Sequence, residues 1–235
     1  KNGTGILSLS GNNSYSGLTT VRNGTITLSH ANALGSGGDI TFTGGGLQYG
    51  AGISTDISSR IKNSTTAILI DTNGNNVSFA GELDSSNNLG LTKNGTGTLS
   101  LSGNNTYTGT TTINTGVFEI TSTGLLGGGA YSGNLINKGA FLFGSDSDQI
   151  LSGIISSTGS LTKNGTGTLT VSNGGSVYHQ GTEFRIASDN GVGTVNIISG
   201  GTVEFQSAKA ARVGEGARLV ARVAHGNPPL GVRAA

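Results

Sequence analysis

KNGTGILSLSGNNSYSGLTTVRNG, residues Lys1–Gly24, recurs almost unchanged as KNGTGTLSLSGNNTYTGTTTINTG, residues Lys93–Gly116. The two stretches match at 17 of 24 positions, and three of the seven differences exchange Ser for Thr or Val for Ile. A third copy runs LTKNGTGTLTVSNGG from Leu161 and then diverges. Internal repetition of this kind is the sequence signature of solenoids and other repeat arrays, so it decides the fold class before any local pattern.

The spacing of the copies predicts the length of one repeating unit. The motif starts at Lys1 and restarts at Lys93 and again at Lys163. Both spacings are close to multiples of about 23 residues, within the length range of solenoid repeats, and about ten such rungs fit the chain. Identical motifs at multiples of one length predict that successive turns lie directly over one another, with equivalent side chains stacked.

Within a copy, short alternating strands are separated by glycine and asparagine turns. In Ile6–Ser10 the leucines face one side and the serines the other, and Gly11–Asn13 then signals a turn. The chain is therefore predicted to be all-β, as a parallel β-helix, or β-solenoid. A sandwich of antiparallel hairpins remains an alternative, because Asn-Gly pairs also suit hairpin turns. In the β-helix, the interior stack is predicted to contain Leu7, Leu9, Val21, Leu99, Leu101, Ile113 and Leu169.

Composition favours a narrow core. Glycine supplies 43 of 235 residues, only 33% of the chain is hydrophobic, and 11% is charged. A solenoid needs few inward side chains per rung, because each rung is buried against its neighbours. The net charge of +1 and the absence of basic runs argue against nucleic acid as a partner. With no cysteine, disulfides cannot stabilise the fold, and hydrogen-bonded ladders must do so.

The repeated pattern K-x-G-x-G-x-L-x-L-S-G-x-N-x-Y-x-G-x-T-x-[VI]-x-x-G resembles the autotransporter-associated β-strand repeat, also called the passenger-associated transport repeat. Two copies fit the whole pattern and the third fits it through about Val171. The repeat positions predicted to be structural are Lys1, Gly3, Gly5, Leu7, Leu9, Asn13, Tyr15, Lys93, Gly95, Gly97, Leu99, Leu101, Asn105, Tyr107, Lys163, Gly165, Gly167 and Leu169.

This resemblance implies a right-handed parallel β-helix that is the passenger domain of a Gram-negative autotransporter. Such passengers are exported through a C-terminal translocator β-barrel and lie at the cell surface or outside the cell. The repeat itself is associated with export rather than with catalysis. No signal peptide is recognisable and the chain starts within a repeat, so we expect an internal piece of a longer protein.

The last part of the chain departs from the repeat pattern. Residues 208–235 contain five basic residues and one acidic residue, no Ser or Thr, and both prolines, Pro228 and Pro229. We therefore predict a solenoid repeat domain over residues 1–207 and a divergent basic tail or terminal cap over residues 208–235.

The sequence favours a non-catalytic, structural or adhesive role, without a cofactor. Its alternatives are a β-helical protein that binds or cleaves polysaccharide and an ice-binding solenoid. Cleavage of a glycoside needs two carboxylates that face each other across a cleft. Rung stacking could bring Asp71, Glu82 or Glu119 near another carboxylate, although no recognisable pattern surrounds them.

Other candidate sites have simpler interpretations. His30, His179 and His225 share no motif, and a metal site needs several convergent ligands, so they are interpreted as surface residues. Asp146 and Asp148 alternate as calcium ligands do, but a solvated loop explains them better. The runs Gly44–Gly46 and Gly127–Gly129 suit tight corners and not a phosphate loop.

The outer surface offers two kinds of contact group. Thr-x-Thr pairs at Thr25/Thr27, Thr41/Thr43, Thr96/Thr98 and Thr110/Thr112 would bind ice or glycan if they formed one flat array, but they also suit an ordinary solvent-facing strand. Tyr15 and Tyr107 occupy the same repeat position and are predicted to cover a corner, with sugar stacking as the alternative. The predicted partners are a host surface or glycan and a second copy joined through the solenoid ends, which would build filaments.

Overall fold

The computed structural model describes residues 1–171 and, beyond them, the backbone of six short strands. These described residues are β-strands and turns, with two single-turn 3-10 helices at Ser58–Arg60 and Gly127–Gly129. The strands are β1 Ile6–Leu9, β2 Thr19–Val21, β3 Thr25–Leu28, β4 Ile40–Phe42, β5 Gly46–Tyr49, β6 Ile68–Asp71, β7 Val77–Phe79, β8 Leu91–Asn94, β9 Thr98–Leu101, β10 Asn104–Asn105, β11 Thr111–Ile113, β12 Val117–Ser122, β13 Leu125–Leu126, β14 Ala130–Tyr131, β15 Leu135–Asn137, β16 Ala140–Ser145, β17 Gln149–Leu151, β18 Ile154–Ser157, β19 Ser160–Lys163, β20 Thr168–Val171, β21 Ser176–His179, β22 Phe184–Ile186, β23 Thr194–Ile197, β24 Thr202–Phe205, β25 Ala211–Val213 and β26 Arg218–Ala221.

Three long parallel sheets run along the solenoid. The first sheet has the order β1-β3-β5-β6-β8-β11-β15-β18-β21-β24, the second β25-β22-β19-β16-β12-β9-β7, and the third β14-β17-β20-β23-β26. Two strand pairs, β2-β4 and β10-β13, form short additional ladders. The pairing is parallel, as the repeat predicts, and the antiparallel sandwich alternative is therefore wrong.

The register of the first sheet agrees with the predicted length of one turn. Its shortest step pairs Ile6 with Thr25, and a longer step pairs Thr111 with Leu135. Both steps lie near the predicted repeat of about 23 residues. Residues 1–171 make about eight turns, matching the eight strands of the first sheet that lie within this range. The estimate of about ten rungs counted the remaining residues as well.

The core is a set of columns in which inward side chains of successive rungs contact one another. In the second sheet one column runs Leu99, Phe118, Phe141 and Leu161, all buried, while outward residues such as Glu119 stay partly exposed. Strict alternation of apolar and polar residues in each strand produces this division. Because the core is only a few such columns wide, the low apolar content of the chain is enough to fill it.

The copies of the repeat do not stack on one another, which corrects the prediction from their spacing. The strand after the KNGTG motif lies in the first sheet in copy one (β1), in the second sheet in copy two (β9) and in the third sheet in copy three (β20). Leu9 accordingly pairs with Leu28, whereas Leu101 lies between Phe79 and Ile120.

Turn length explains this rotation. Following partners up the first sheet, four turns lead from Leu7 to Lys93, whereas the residue of copy two equivalent to Leu7 is Leu99. Three turns of the second sheet lead from Leu99 to Leu161, whereas its equivalent in copy three is Leu169. Each copy therefore starts several residues later than a whole number of turns after the previous copy. These additional residues place its first strand in the next of the three sheets.

The structure buries most of the predicted interior residues. Val21, Leu99, Leu101, Ile113 and Leu169 are buried, and Leu9 is partly buried. Leu7 differs, since 41% of it is exposed. Its strand, β1, lies at the edge of the first sheet and has a neighbour on one side only.

The predicted basic tail falls largely outside the described residues. Two short strands within it, β25 and β26, pair in parallel with β22 and β23. The boundary at residue 207 remains a prediction.

Candidate functional site at the repeat corners

The lysine that opens the repeat lies inside the solenoid. In β8 the alternation of Leu91, Thr92 and Lys93 points Lys93 inward, and its side chain is fully buried. Its Nζ donates hydrogen bonds to the carbonyl oxygens of Asn94 at 3.0 Å, Gly95 at 2.6 Å and, in the next rung, Thr115 at 3.2 Å. The ammonium group therefore fastens the start of the repeat to its end.

The other two copies use their lysine in the same way. Lys163 is buried, its Nζ donates to the carbonyl oxygen of Gly165, and it lies 5.4 Å from the centre of the Phe143 ring. Lys1 is partly buried and donates to the carbonyl oxygens of Gly3 and, at 3.1 Å, Asn23. In every copy the lysine thus binds the carbonyl two residues ahead, a role that the sequence analysis did not predict.

Burial changes the protonation of the two interior lysines. Removal from water lowers the pKa of Lys93 to about 8, against the opposing effect of the Asp71 carboxylate. It also lowers the pKa of Lys163 to about 8, against Asp146 and Asp148. Both shifts have the sign expected of a cation held in an apolar interior.

Glycine is required where the corners of two rungs meet. Gly95, Gly97 and Gly116 have φ angles of +76°, +85° and +69°, which side chains rarely adopt. A Cβ at Gly116 would lie 2.4 Å from the carbonyl oxygen of Gly97. In copy two, Gly95, Gly97 and Gly116 therefore let the corner of one rung lie directly against that of the next, whereas Gly3 and Gly5 of copy one have no such close neighbour.

The repeat asparagine satisfies backbone groups of both neighbouring rungs. Asn105 is buried, its Oδ1 accepts the Leu83 N–H at 3.0 Å, and its Nδ2 donates to the carbonyl oxygens of Gly103 and Leu125. Asn13, at the same position of copy one, donates to the carbonyl oxygen of Ala33 at 2.8 Å. The Asn105 side chain thus adds hydrogen bonds to both neighbouring rungs at this corner, beside the short β10-β13 ladder.

An Asn105→Ala variant is expected to lose about 2–3 kcal/mol of unfolding free energy, because buried N–H and C=O groups are left without partners. Asn104→Ala is the matched control, since Asn104 is the adjacent residue and its side chain is exposed. Urea denaturation followed by circular dichroism would compare the two. Equal midpoints for both variants would contradict the assigned role.

The repeat tyrosine of copy two belongs to a buried chain of hydroxyl groups. Tyr107 Oη lies 2.6 Å from Thr111 Oγ1, which lies 2.8 Å from Tyr131 Oη, and Tyr131 donates to the carbonyl oxygen of Gly109. Both rings are core residues, packed edge to face with centres 5.7 Å apart. Tyr107 is therefore unavailable for stacking on a sugar, whereas 40% of Tyr15 is exposed.

The acidic residues considered for catalysis lie apart from one another in the fold. Asp71 lies on the outer side of the first sheet and accepts from Gln48, while Glu119 lies on the outer side of the second sheet and accepts from Ser100. Glu82 follows β7 and accepts from Thr106. Each binds a polar side chain of a neighbouring rung, which is a structural contact.

The candidate metal ligands also stay separate where they can be followed. Asp146 and Asp148 accept N–H groups of Thr166 and Thr168 in the next rung. Over the described part of the chain, no three His, Cys, Asp or Glu residues come together as metal ligands would. The side chains of His179 and His225 lie outside the described residues, and His30 accepts the Asn32 N–H.

The threonine pairs are divided between sheets. Thr27 and Thr112 belong to the first sheet, Thr98 to the second, and Thr41 to the short β2-β4 ladder. A single threonine array of the kind needed for an ice-binding face is therefore not formed by these pairs. Among the described residues, no helix is long and apolar enough to span a bilayer.

Comparison with known proteins agrees with the repeat structure. The sequence model of the passenger-associated-transport-repeat family matches residues 1–28, 91–120 and 161–183. A protein of Brucella suis biovar 1 (strain 1330), named "Adhesin BmaC autotransporter", is 38% identical over 165 residues, covering 70% of this chain. The chain spans only 5% of that relative's length. No solved structure matches the chain.

Proposed function

Since this chain is an autotransporter passenger repeat protein, we propose that it is a non-catalytic, adhesive segment of a passenger exposed on a Gram-negative cell surface. The single observation that carries the proposal is the 38% sequence identity, over 165 residues, to a protein named as an adhesin. A translocator β-barrel in the full-length protein and a host surface or glycan as partner are parts of the same proposal.

The chemistry of the described residues supports a role without catalysis. The positions shared by the repeat copies form hydrogen bonds that join rungs, as Lys93 and Asn105 illustrate. The carboxylates considered for catalysis likewise bind neighbouring rungs. The residues that join the rungs build a rod, and the outer faces of its sheets would contact a partner.

Association of rods through their ends is a finer part of the proposal. The first rung exposes 73% of Ile6 and 63% of Leu18, together with the partly exposed Leu7. For the chain by itself, contact with a second copy would bury these apolar groups and the unpaired edge of β1.

Adhesion can be measured with the purified chain coupled to fluorescent beads and applied to cultured epithelial cells. We expect saturable binding that free chain competes away, and a matched bead carrying an unrelated β-solenoid gives the background. Binding no stronger than this background would contradict the adhesive role. Release of reducing ends from a polysaccharide panel would instead identify the chain as an enzyme.

A further inference from the structure

Among the side chains that the structure describes, no carboxylate contacts either of the two lysine amines inside the solenoid. In the described part of the chain, the ion pair joins Lys62 to Asp84 and does not involve the interior lysines. Lys93 Nζ contacts three carbonyl oxygens, and Lys163 Nζ contacts the Gly165 carbonyl and faces the Phe143 ring. Carbonyl dipoles therefore surround the Lys93 amine, and a carbonyl dipole and an aromatic ring lie next to the Lys163 amine.

Such a site costs free energy when the amine is charged. A buried ammonium ion without an ionic partner loses hydration that carbonyl dipoles replace only in part. A neutral amine keeps two N–H donors, enough for two of the three carbonyls around Lys93, and no longer carries the desolvated charge. The unfolded chain has no such penalty, because water solvates every lysine.

We propose that Lys93 and Lys163 couple closure of the solenoid to proton release, so that in mildly alkaline solution each –NH₃⁺ of the unfolded chain becomes –NH₂ inside the rod and gives one proton to the solvent. The same repeat position supplies both amines. The coupling is proposed for copies two and three, since Lys1, the corresponding residue of copy one, is only partly buried.

Three carboxylates of the described residues act on the two amines. Asp71 in β6 is the charged neighbour of Lys93, and Asp146 and Asp148, which follow β16, are those of Lys163. All three attract the ammonium form and so oppose the proposed release. Desolvation outweighs them, because it is the larger effect at both lysines.

The sign of the pH dependence follows from these shifts. The folded-state pKa of each lysine, about 8, lies below the ordinary value of 10.5. Between these two values the unfolded chain binds more protons, so the stability of the fold rises with pH. Near pH 9 the folding equilibrium constant should increase about tenfold per pH unit for each lysine.

The measurement is urea denaturation of the whole chain at intervals from pH 7 to pH 9.5. Higher pH is avoided because burial raises the pKa of Tyr131 to about 12 and that of Tyr107 well above its usual value. Tyrosines of the unfolded chain ionise first, which lowers stability above about pH 10. A flat or falling profile between pH 8 and pH 9.5 would overturn the proposal.

Single substitutions test which lysine releases each proton on folding. Lys93→Met and Lys163→Met should each remove one of the two tenfold increments, whereas Lys138→Met, at an exposed lysine, should leave the profile unchanged. An identical profile in all three variants would show that other groups release the protons.

Direct titration of the unmodified chain covers the case in which a variant does not fold. With ¹³C-labelled lysine, the Cε resonances of two lysines should titrate near pH 8 and those of exposed lysines near pH 10.5. If all lysine resonances of the folded chain titrate above pH 10, the proposal is wrong.

Discussion

A Gly116→Ala variant is expected to lose about 3–5 kcal/mol of unfolding free energy, or to fail to fold, because a backbone strained for alanine and a steric overlap act together. Gly116 has a φ of +69°. An added Cβ would lie 2.4 Å from the carbonyl oxygen of Gly97, 2.6 Å from that of Gly95 and 2.9 Å from Lys93 Nζ. Two of these neighbours are backbone atoms of the rung below, so relief requires the rungs to separate.

Gly37→Ala is the matched control for this variant. Gly37 has no atom within 4 Å of an added Cβ, and its φ is not in the left-handed region. Its midpoint in urea should stay close to that of the unchanged chain or rise slightly. Equal midpoints for Gly116→Ala and Gly37→Ala would show that the corner tolerates separation and that the close contact is dispensable.

The repeat predicted the class of fold but not the relation between its copies. Short strands of alternating polarity at solenoid spacing are enough to predict parallel ladders. The sequence does not predict which sheet each copy lies in, because the number of residues per turn varies within the first sheet. The steps from Ile6 to Thr25 and from Thr111 to Leu135 show this variation. These variations add up over several rungs and place Leu9 and Leu101 in different sheets. The spacing between repeat copies does not reveal the length of each individual turn between them.

The interior polar residues show a second limit of the sequence analysis. Lysine is ordinarily exposed, so the sequence predicts Lys93 as a structural repeat position but not as an interior residue. The sequence nevertheless contains a signal for an inward Lys93, since it is two residues after the apolar Leu91 and residues two apart in a strand point to the same face. Asn105 lacks such a signal, because its partners Leu83 and Leu125 are distant in sequence and become neighbours only when the rungs stack.

A Phe141→Ala variant is expected to lose about 3–5 kcal/mol of unfolding free energy, the usual cost of deleting a buried aromatic ring. Phe141 is buried in the second sheet and stacks on Phe118 of the preceding rung, with ring centres 6.0 Å apart and an interplanar angle of 26°. Leu161 follows it in the next rung. Because the core is only a few side chains wide, few neighbouring residues can move in to fill the cavity.

Leu142→Ala tests the alternation on which the column depends. Leu142 is adjacent in β16 but points outward and is partly exposed, so its replacement should cost less than about 1.5 kcal/mol. Because each rung contacts only its neighbours, Phe141→Ala should lower amide hydrogen-exchange protection in β12, β16 and β19 and leave β3 and β5 unchanged. A larger loss for Leu142→Ala than for Phe141→Ala would mean that β16 faces the other way, and with it the register of the second sheet would be wrong.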